Sequence, residues 1–225
     1  MFLAQQIFDF IFPQTCFICG DFACQVCPKC IKNLKRGRTK CLKCARQNPF
    51  GMYCAVHRRD DQPDKVIAPF DFSGPLRELI HQLKYEDVTN IVEPLSSEMA
   101  HLAKMIPDNR KFVFTYIPLT RKRLLERGYN QSEMIAEAVS DILKVPSTGL
   151  LTRVEGQLTQ VQSGDRKRRR QNVKGVFKIK KDVEIPENVI LVDDVITTGA
   201  TVEEATRVLK KAGVKKVIVL ALALA

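Results

Sequence analysis

Four consecutive apolar residues, Val189 to Val192, run directly into Asp193 and Asp194, and two positions later into Thr197, Thr198, Gly199, Ala200 and Thr201. A short apolar run bounded by polar residues reads as a strand buried on both faces, the kind that parallel sheets hold at their centre. Such a strand brings two adjacent carboxylates to its open end, where α/β sheets receive ligands. The Thr-rich turn leads into a helix over Thr201 to Lys211, stopped by Gly213. Backbone amides, the positive end of the helix dipole and hydroxyl donors meet at that turn, which makes a phosphate cradle. Carboxylates suited to a ribose diol, one loop from a cradle for a 5-phosphate, fit a ribose phosphate better than a plain nucleotide or a metal alone. Turns and helix caps also favour Asp and Thr. Six polar or small positions in this order and context outweigh that plainer reading.

The rest of the chain supplies the sheet. Val66 to Phe72 reads as a strand, with Ser73 placed to cap a helix whose apolar positions Leu76, Leu79, Ile80 and Leu83 keep the 3.6-residue period. A helix over Ile91 to Met105 follows, then a strand over Phe112 to Ile117. A basic loop carries the chain to Gly128, and a helix spans Gln131 to Leu143 with Met134, Ile135, Ala138, Val139 and Ile142 inward. Short strands are expected at Leu150 to Leu151 and Val176 to Ile179, and a last strand over Val214 to Ala225. Between them, Arg153 to Lys174 is polar and basic without apolar periodicity and reads as a loop. Alternating strands and helices predict an α/β fold with a parallel sheet over residues 66–225. In the basic loop, Arg121, Lys122, Arg123 and Arg127 precede Gly128, a placement suited to gripping pyrophosphate through multi-point guanidinium contacts.

All eight cysteines fall between Cys16 and Cys54. Cys16 with Cys19, Cys27 with Cys30 and Cys41 with Cys44 form three Cys-x-x-Cys pairs, and Cys54 with His57 repeats the spacing. Thiolates and imidazole so spaced suit tetrahedral zinc, and a segment this short has too little apolar substance to fold unaided. One or two structural zinc ions are expected, with Cys24 left over and able to replace a neighbour. Residues 1–60 therefore read as an N-terminal helix followed by a small zinc-binding, double-ribbon-like domain.

The start of the chain, Met1 to Phe12, is apolar but carries Asp9 and runs into Pro13 and the cysteines, unlike an export signal. With no apolar run of roughly 18 residues, membrane insertion is not expected. A cytoplasmic, reducing setting favours metal over disulfides for the cysteines. The formal net charge is +11, and Phe22 to Arg59 holds ten Lys or Arg and no acidic residue. Clustered positive charge points to a polyanion partner. A second basic run, Arg166, Lys167, Arg168, Arg169 and Arg170, suits the backbone of single-stranded DNA.

The segment VDDVITTGAT resembles the phosphoribosyl-pyrophosphate (PRPP) motif of type I phosphoribosyltransferases. That resemblance implies that Asp193 and Asp194 bind the ribose hydroxyls, and that Thr197, Thr198, Gly199, Ala200 and Thr201 bind the 5-phosphate, with magnesium accompanying PRPP. The order of Cys-x-x-Cys pairs, IHQLK at Ile80 to Lys84, PLTRKRLLERGYNQ at Pro118 to Gln131, the stretch Arg166 to Phe177 and VDDVITTGAT resembles the ComF family over nearly the whole chain. His57 departs from it, because the family's final pair usually ends in Cys. The resemblance implies a competence role in handling single-stranded DNA during natural transformation, with a ComFA-type helicase ATPase as partner.

Two functions stand side by side. In one, a DNA-handling protein keeps a PRPP site, with Arg121 and Arg123 gripping the pyrophosphate. In the other, the chain is an active phosphoribosyltransferase moving ribose 5-phosphate from PRPP to an unidentified acceptor, with Asp193 and Asp194 as catalytic carboxylates. Against the second stands the short chain after the last strand, which leaves little to build a purine pocket.

Overall fold

The structure is a computed structural model and describes residues 15–22, 24–48, 50–154 and 173–225. The expected helix at Met1 to Phe12 and the basic run Arg166 to Arg170 lie outside them. The central sheet has five parallel strands: β1 (Lys65–Ile67), β2 (Phe70–Asp71), β3 (Val113–Tyr116), β6 (Asn188–Ile196) and β7 (Lys216–Leu224). Its order is β1-β7-β6-β3, with β2 extending β1's place along β7. A separate antiparallel pair joins β4 (Leu151–Arg153) to β5 (Phe177–Ile179).

The alternation of β6 explains the layering. Ile190 and Val192 face a core made with α2 (Pro75–Tyr85), α3 (Val92–Lys104) and α5 (Gln131–Leu143), through Leu79, Leu95, Met99 and Val139. Val189 and Leu191 face the opposite core, made with α6 (Ala200–Lys211) through Val202, Ala205 and Leu209, and with Leu150 and Phe177. Truncating a fully buried residue such as Ile190 to Ala would cost about 2–5 kcal/mol. This sandwich fixes β6, and with it the carboxylates that β6 carries.

The cysteine-rich segment docks on the edge of the same sheet. Within it, α1 (Pro28–Asn33) starts at Cys27, whose sulfur accepts from the Cys30 amide. Val26, Ile31 and Leu34 pack into the core shared with Phe70 and Leu76. Backbone bonds continue the attachment: Asp71 N donates to Lys35 O at 2.9 Å and Val66 N to Gly51 O at 2.7 Å.

Several local expectations are corrected, among them Ile142, expected inward but exposed on α5. The helix after β2 starts at Pro75 with Gly74 at its cap, not Ser73, because Pro at the first helical position supplies the fixed φ. Residues 121–127 form a helix, α4, where a loop was expected; Thr120 caps it by accepting from Arg123 N, and left-handed Gly128 ends it. None of its residues is buried, so no apolar period marks it in the sequence. Strand β6 also continues past Val192 to Ile196, keeping parallel register with β7 through Ile196↔Leu224. No described helix is long and apolar enough to cross a membrane.

Candidate functional site

Asp193 and Asp194 sit near the end of β6, with Asp193 paired to Ala221 of β7. Successive strand residues point to opposite faces, so the two carboxylates meet different neighbours. Asp193 Oδ1 accepts from Ser132 Oγ at 3.1 Å and from the Asp194 amide at 3.0 Å. Asp194 Oδ2 lies 2.6 Å from Lys84 Nζ at the end of α2. Burial, with Asp194 beside it, pushes the Asp193 carboxyl up to about 7, while the Asp194 amide, Lys84 and Ser132 pull the other way. A carboxyl poised near neutrality holds its charge most easily when a partner supplies donors or positive charge.

Beyond β6 the chain turns through Thr197, Thr198 and Gly199 into α6. Gly199 has φ +76°, a left-handed conformation that glycine adopts without strain. Ala200 N donates to Thr198 Oγ1 at 3.4 Å, and Glu203 N closes the first helical bond to Gly199 O at 2.9 Å. The amides of the first turn have no intrahelical acceptor and carry the positive end of the dipole. This is the geometry of an anion cradle. It lies one short loop from the carboxylates.

Of the two arginines expected at pyrophosphate, Arg123 lines a cavity of about 490 Å³ with Lys84, Tyr85, Arg127 and Tyr129. Arg121 is exposed at the start of α4. The turn behind them is rigid: Asn130 Nδ2 donates to Ile117 O at 3.0 Å, and its Oδ1 accepts from Ser132 N at 3.1 Å. Arg127 donates to Gln131 Oε1 at 3.0 Å and stacks over Tyr85.

Three residues that sequence reasoning did not single out join the site. Lys84 ends the IHQLK stretch, and nothing local reveals its partner. Ser132 follows the PLTRKRLLERGYNQ stretch by one residue. Arg153, at the end of β4, stacks over Phe177; burial lowers its guanidinium below the ordinary range, Arg123 adds to this, and Asp193 opposes it.

The expected zinc ligands fall into two sequential groups, Cys16, Cys19, Cys27 and Cys30, then Cys41, Cys44, Cys54 and His57. Ligand atoms within each group lie within 4.8 Å of one another. Cys19 and Cys27 sulfurs are 3.8 Å apart, Cys44 and Cys54 sulfurs 3.6 Å, and Cys41 Sγ lies 3.7 Å from His57 Nδ1. Tetrahedral zinc with Zn–S bonds of ~2.3 Å requires sulfurs ~3.8 Å apart, so both sets fit the ion. Burial raises the Cys16 thiol, but amides of Cys27, Cys19 and Ile18 outweigh it and bring it down to about 6. In the second group Cys41 is likewise brought down to about 6 against burial, by amides of Cys54, Cys44 and Lys43. Cys54 is pushed up to about 11 by the adjacent Cys44, then by burial. Sulfurs held this close compete for negative charge, which a divalent cation relieves. Cys24 belongs to neither group.

The phosphoribosyl transferase domain family matches residues 130–225, which contain Ser132, both aspartates and the cradle. Competence protein F of Haemophilus influenzae is 30% identical over 209 residues, 88% of this chain and 83% of that protein. DNA utilization protein YhgH of Escherichia coli K12 is 28% identical over 218 residues, covering 89% of this chain and 92% of its own. Competence protein ComFC of Bacillus subtilis is 29% identical over 144 residues, 64% of this chain and 57% of that protein. Identity at that level across most of both chains, joined to a parallel-sheet phosphoribosyltransferase-like fold and two cysteine-rich clusters, places this chain in the ComF family of competence proteins.

Proposed function

We propose that the protein handles single-stranded DNA during natural transformation and binds PRPP with magnesium at the end of β6. The observation that carries this reading is the pairing of Asp193 and Asp194 with the left-handed Gly199 turn that opens α6. Carboxylates accept from the ribose hydroxyls, the first-turn amides and the hydroxyls of Thr197, Thr198 and Thr201 take the 5-phosphate, and Arg121 and Arg123 take the pyrophosphate. Magnesium, when bound, neutralises phosphate charge and favours the ionised aspartates. The names of the relatives support the DNA side, as does the basic surface of the cysteine-rich segment. In this reading residues 1–60 form the zinc-binding unit, residues 66–225 the PRPP-binding unit, and Arg166 to Arg170 add contacts to phosphate backbones. A ComFA-type ATPase is the expected protein partner.

A second reading, transfer of ribose 5-phosphate to an acceptor, is favoured by the cavity beside Lys84, Arg123 and Tyr129. There the C1–pyrophosphate bond would break as the acceptor's lone pair bonds C1, with pyrophosphate leaving. Calorimetric titration with magnesium and PRPP, repeated in the presence of DNA, tests the first reading. Binding of both ligands supports it; no heat with PRPP would contradict it. Release of pyrophosphate on adding candidate bases or amines would favour the second.

A further inference from the structure

The cysteine-rich segment reaches the phosphate cradle itself. Leu42 and Lys43 lie between Cys41 and Cys44, two ligands of the second metal-type group, and Tyr53 adjoins Cys54, a third. Leu42 packs on Gly199: a Cβ added there would stand 2.5 Å from Leu42 Cδ1. Lys43 Nζ lies 2.6 Å from Glu203 Oε2, and Tyr53 OH donates to Glu203 Oε1 at 2.9 Å. Both oxygens of one carboxylate in the first turn of α6 are thus held by the metal-binding segment, from positions 160 and 150 residues away. The pair is largely withdrawn from water, with side-chain exposures of 21% for Lys43 and 14% for Glu203.

An acidic residue in the first turn of a helix favours the helix dipole, yet it repels an anion bound at the same turn. Glu203 therefore sits badly for a phosphate cradle unless its charge is cancelled. Lys43 cancels it, and a largely desolvated ion pair acts as a neutral dipole where a bare carboxylate would project its field. Leu42 meanwhile fills the space behind Gly199, so the turn is backed by a side chain whose chain neighbours are fixed on either side. A loop tethered at Cys41 and Cys44 has little freedom, and rigid support of this kind preorganises a site.

We infer that Leu42, Lys43 and Tyr53 are positioning residues for phosphomonoester binding, and that Lys43 sets the cradle's affinity by neutralising Glu203. This rests on the reading of Thr197 to Thr201 as the 5-phosphate cradle. The cysteine-rich segment then has a role at the ribose phosphate site in addition to any contact with DNA.

The test uses the full zinc-loaded chain and ribose 5-phosphate, which lacks pyrophosphate and so leaves the cradle as the one phosphate-binding element engaged. Affinity is measured by calorimetry, with zinc content determined on each sample. Lys43→Ala should weaken binding about tenfold, equivalent to ~1.4 kcal/mol. Lys43→Arg should restore it to within about threefold, and so should Lys43→Ala combined with Glu203→Gln, in which no carboxylate needs cancelling. Glu203→Gln alone should bind at least as tightly as wild type, since it leaves Lys43 beside the phosphate. Two results would overturn the inference while the cradle stands: Lys43→Ala with full zinc binding as wild type does, or Glu203→Gln binding more weakly. If the wild-type protein does not bind ribose 5-phosphate at all, the cradle reading falls and takes this inference with it.

Discussion

Lys84 Nζ lies 2.6 Å from Asp194 Oδ2, so a residue in the last turn of α2 neutralises one of the two carboxylates near the end of β6. The side chains are 22% and 13% exposed, which leaves the pair only partly screened by water. Lys84→Ala would leave the Asp194 carboxylate without its ion-pair partner. A polyanionic ligand should then meet an uncompensated Asp194, and PRPP affinity at neutral pH should fall about tenfold. Calorimetry on the folded variant checks this. The loss should shrink when magnesium is raised, because the cation replaces the missing charge.

The raised Asp193 carboxyl predicts a pH dependence. Ribose hydroxyls donate to carboxylates, so ligand binding requires the ionised form, while burial with Asp194 alongside holds Asp193 neutral up to about 7. PRPP affinity should therefore rise between about pH 6 and 8 and then level off, with a proton released on binding below the midpoint. For the empty fold the sign is opposite. An acid raised above its ordinary ~4 stabilises the fold fully below that value, and the contribution is lost as pH rises through about 7. Titrations in buffers of different ionisation heat measure the proton; affinity that falls with pH would contradict the assignment.

Two zinc ions per chain are expected, one for each group of ligands. Cys41→Ser with Cys44→Ser should lower the content to one. Because Val26, Ile31 and Leu34 belong to the core that also holds Phe70 and Leu76, chelation should lower the unfolding temperature of the whole chain, beyond melting the cysteine-rich segment. Metal analysis and a thermal scan with and without chelator check both points.

Single-stranded DNA should bind with a steep salt dependence and little sequence preference, since charge is abundant and aromatics are few. Replacing Arg168, Arg169 and Arg170 with Ala should reduce the slope of log affinity against log salt by about 2, roughly 0.7 for each phosphate that is no longer neutralised. An unchanged slope would move the DNA site to the cysteine-rich segment.

What could be read in the sequence follows the distance along the chain between interacting residues. The strand at Val189 to Val192 and the turn after it are legible because burial on both faces and a helix start are written in neighbouring residues. The cysteine pairs are legible for the same reason. Lys84 and Ser132 are not, since each meets its aspartate only through the packing of α2 and α5 on the sheet. Nor is the support of Gly199 by Leu42, where local spacing carries no trace of a partner in a distant segment. Helix α4 escapes notice because Leu124 and Leu125 remain exposed, so its seven residues lack the periodic apolar face that betrays a packed helix.

The most direct test is calorimetry of magnesium–PRPP on Asp193→Asn combined with Asp194→Asn, with DNA affinity measured by fluorescence anisotropy on the same folded protein. Amides cannot repeat two charge-assisted bonds to the ribose hydroxyls, so the loss should be about 3 kcal/mol or more, over a hundredfold in affinity. DNA affinity should be unchanged or slightly higher, because two negative charges are removed from a basic protein. PRPP binding as tight as wild type would contradict the assignment of this crevice, and collapse of DNA binding instead would make the crevice itself the DNA site.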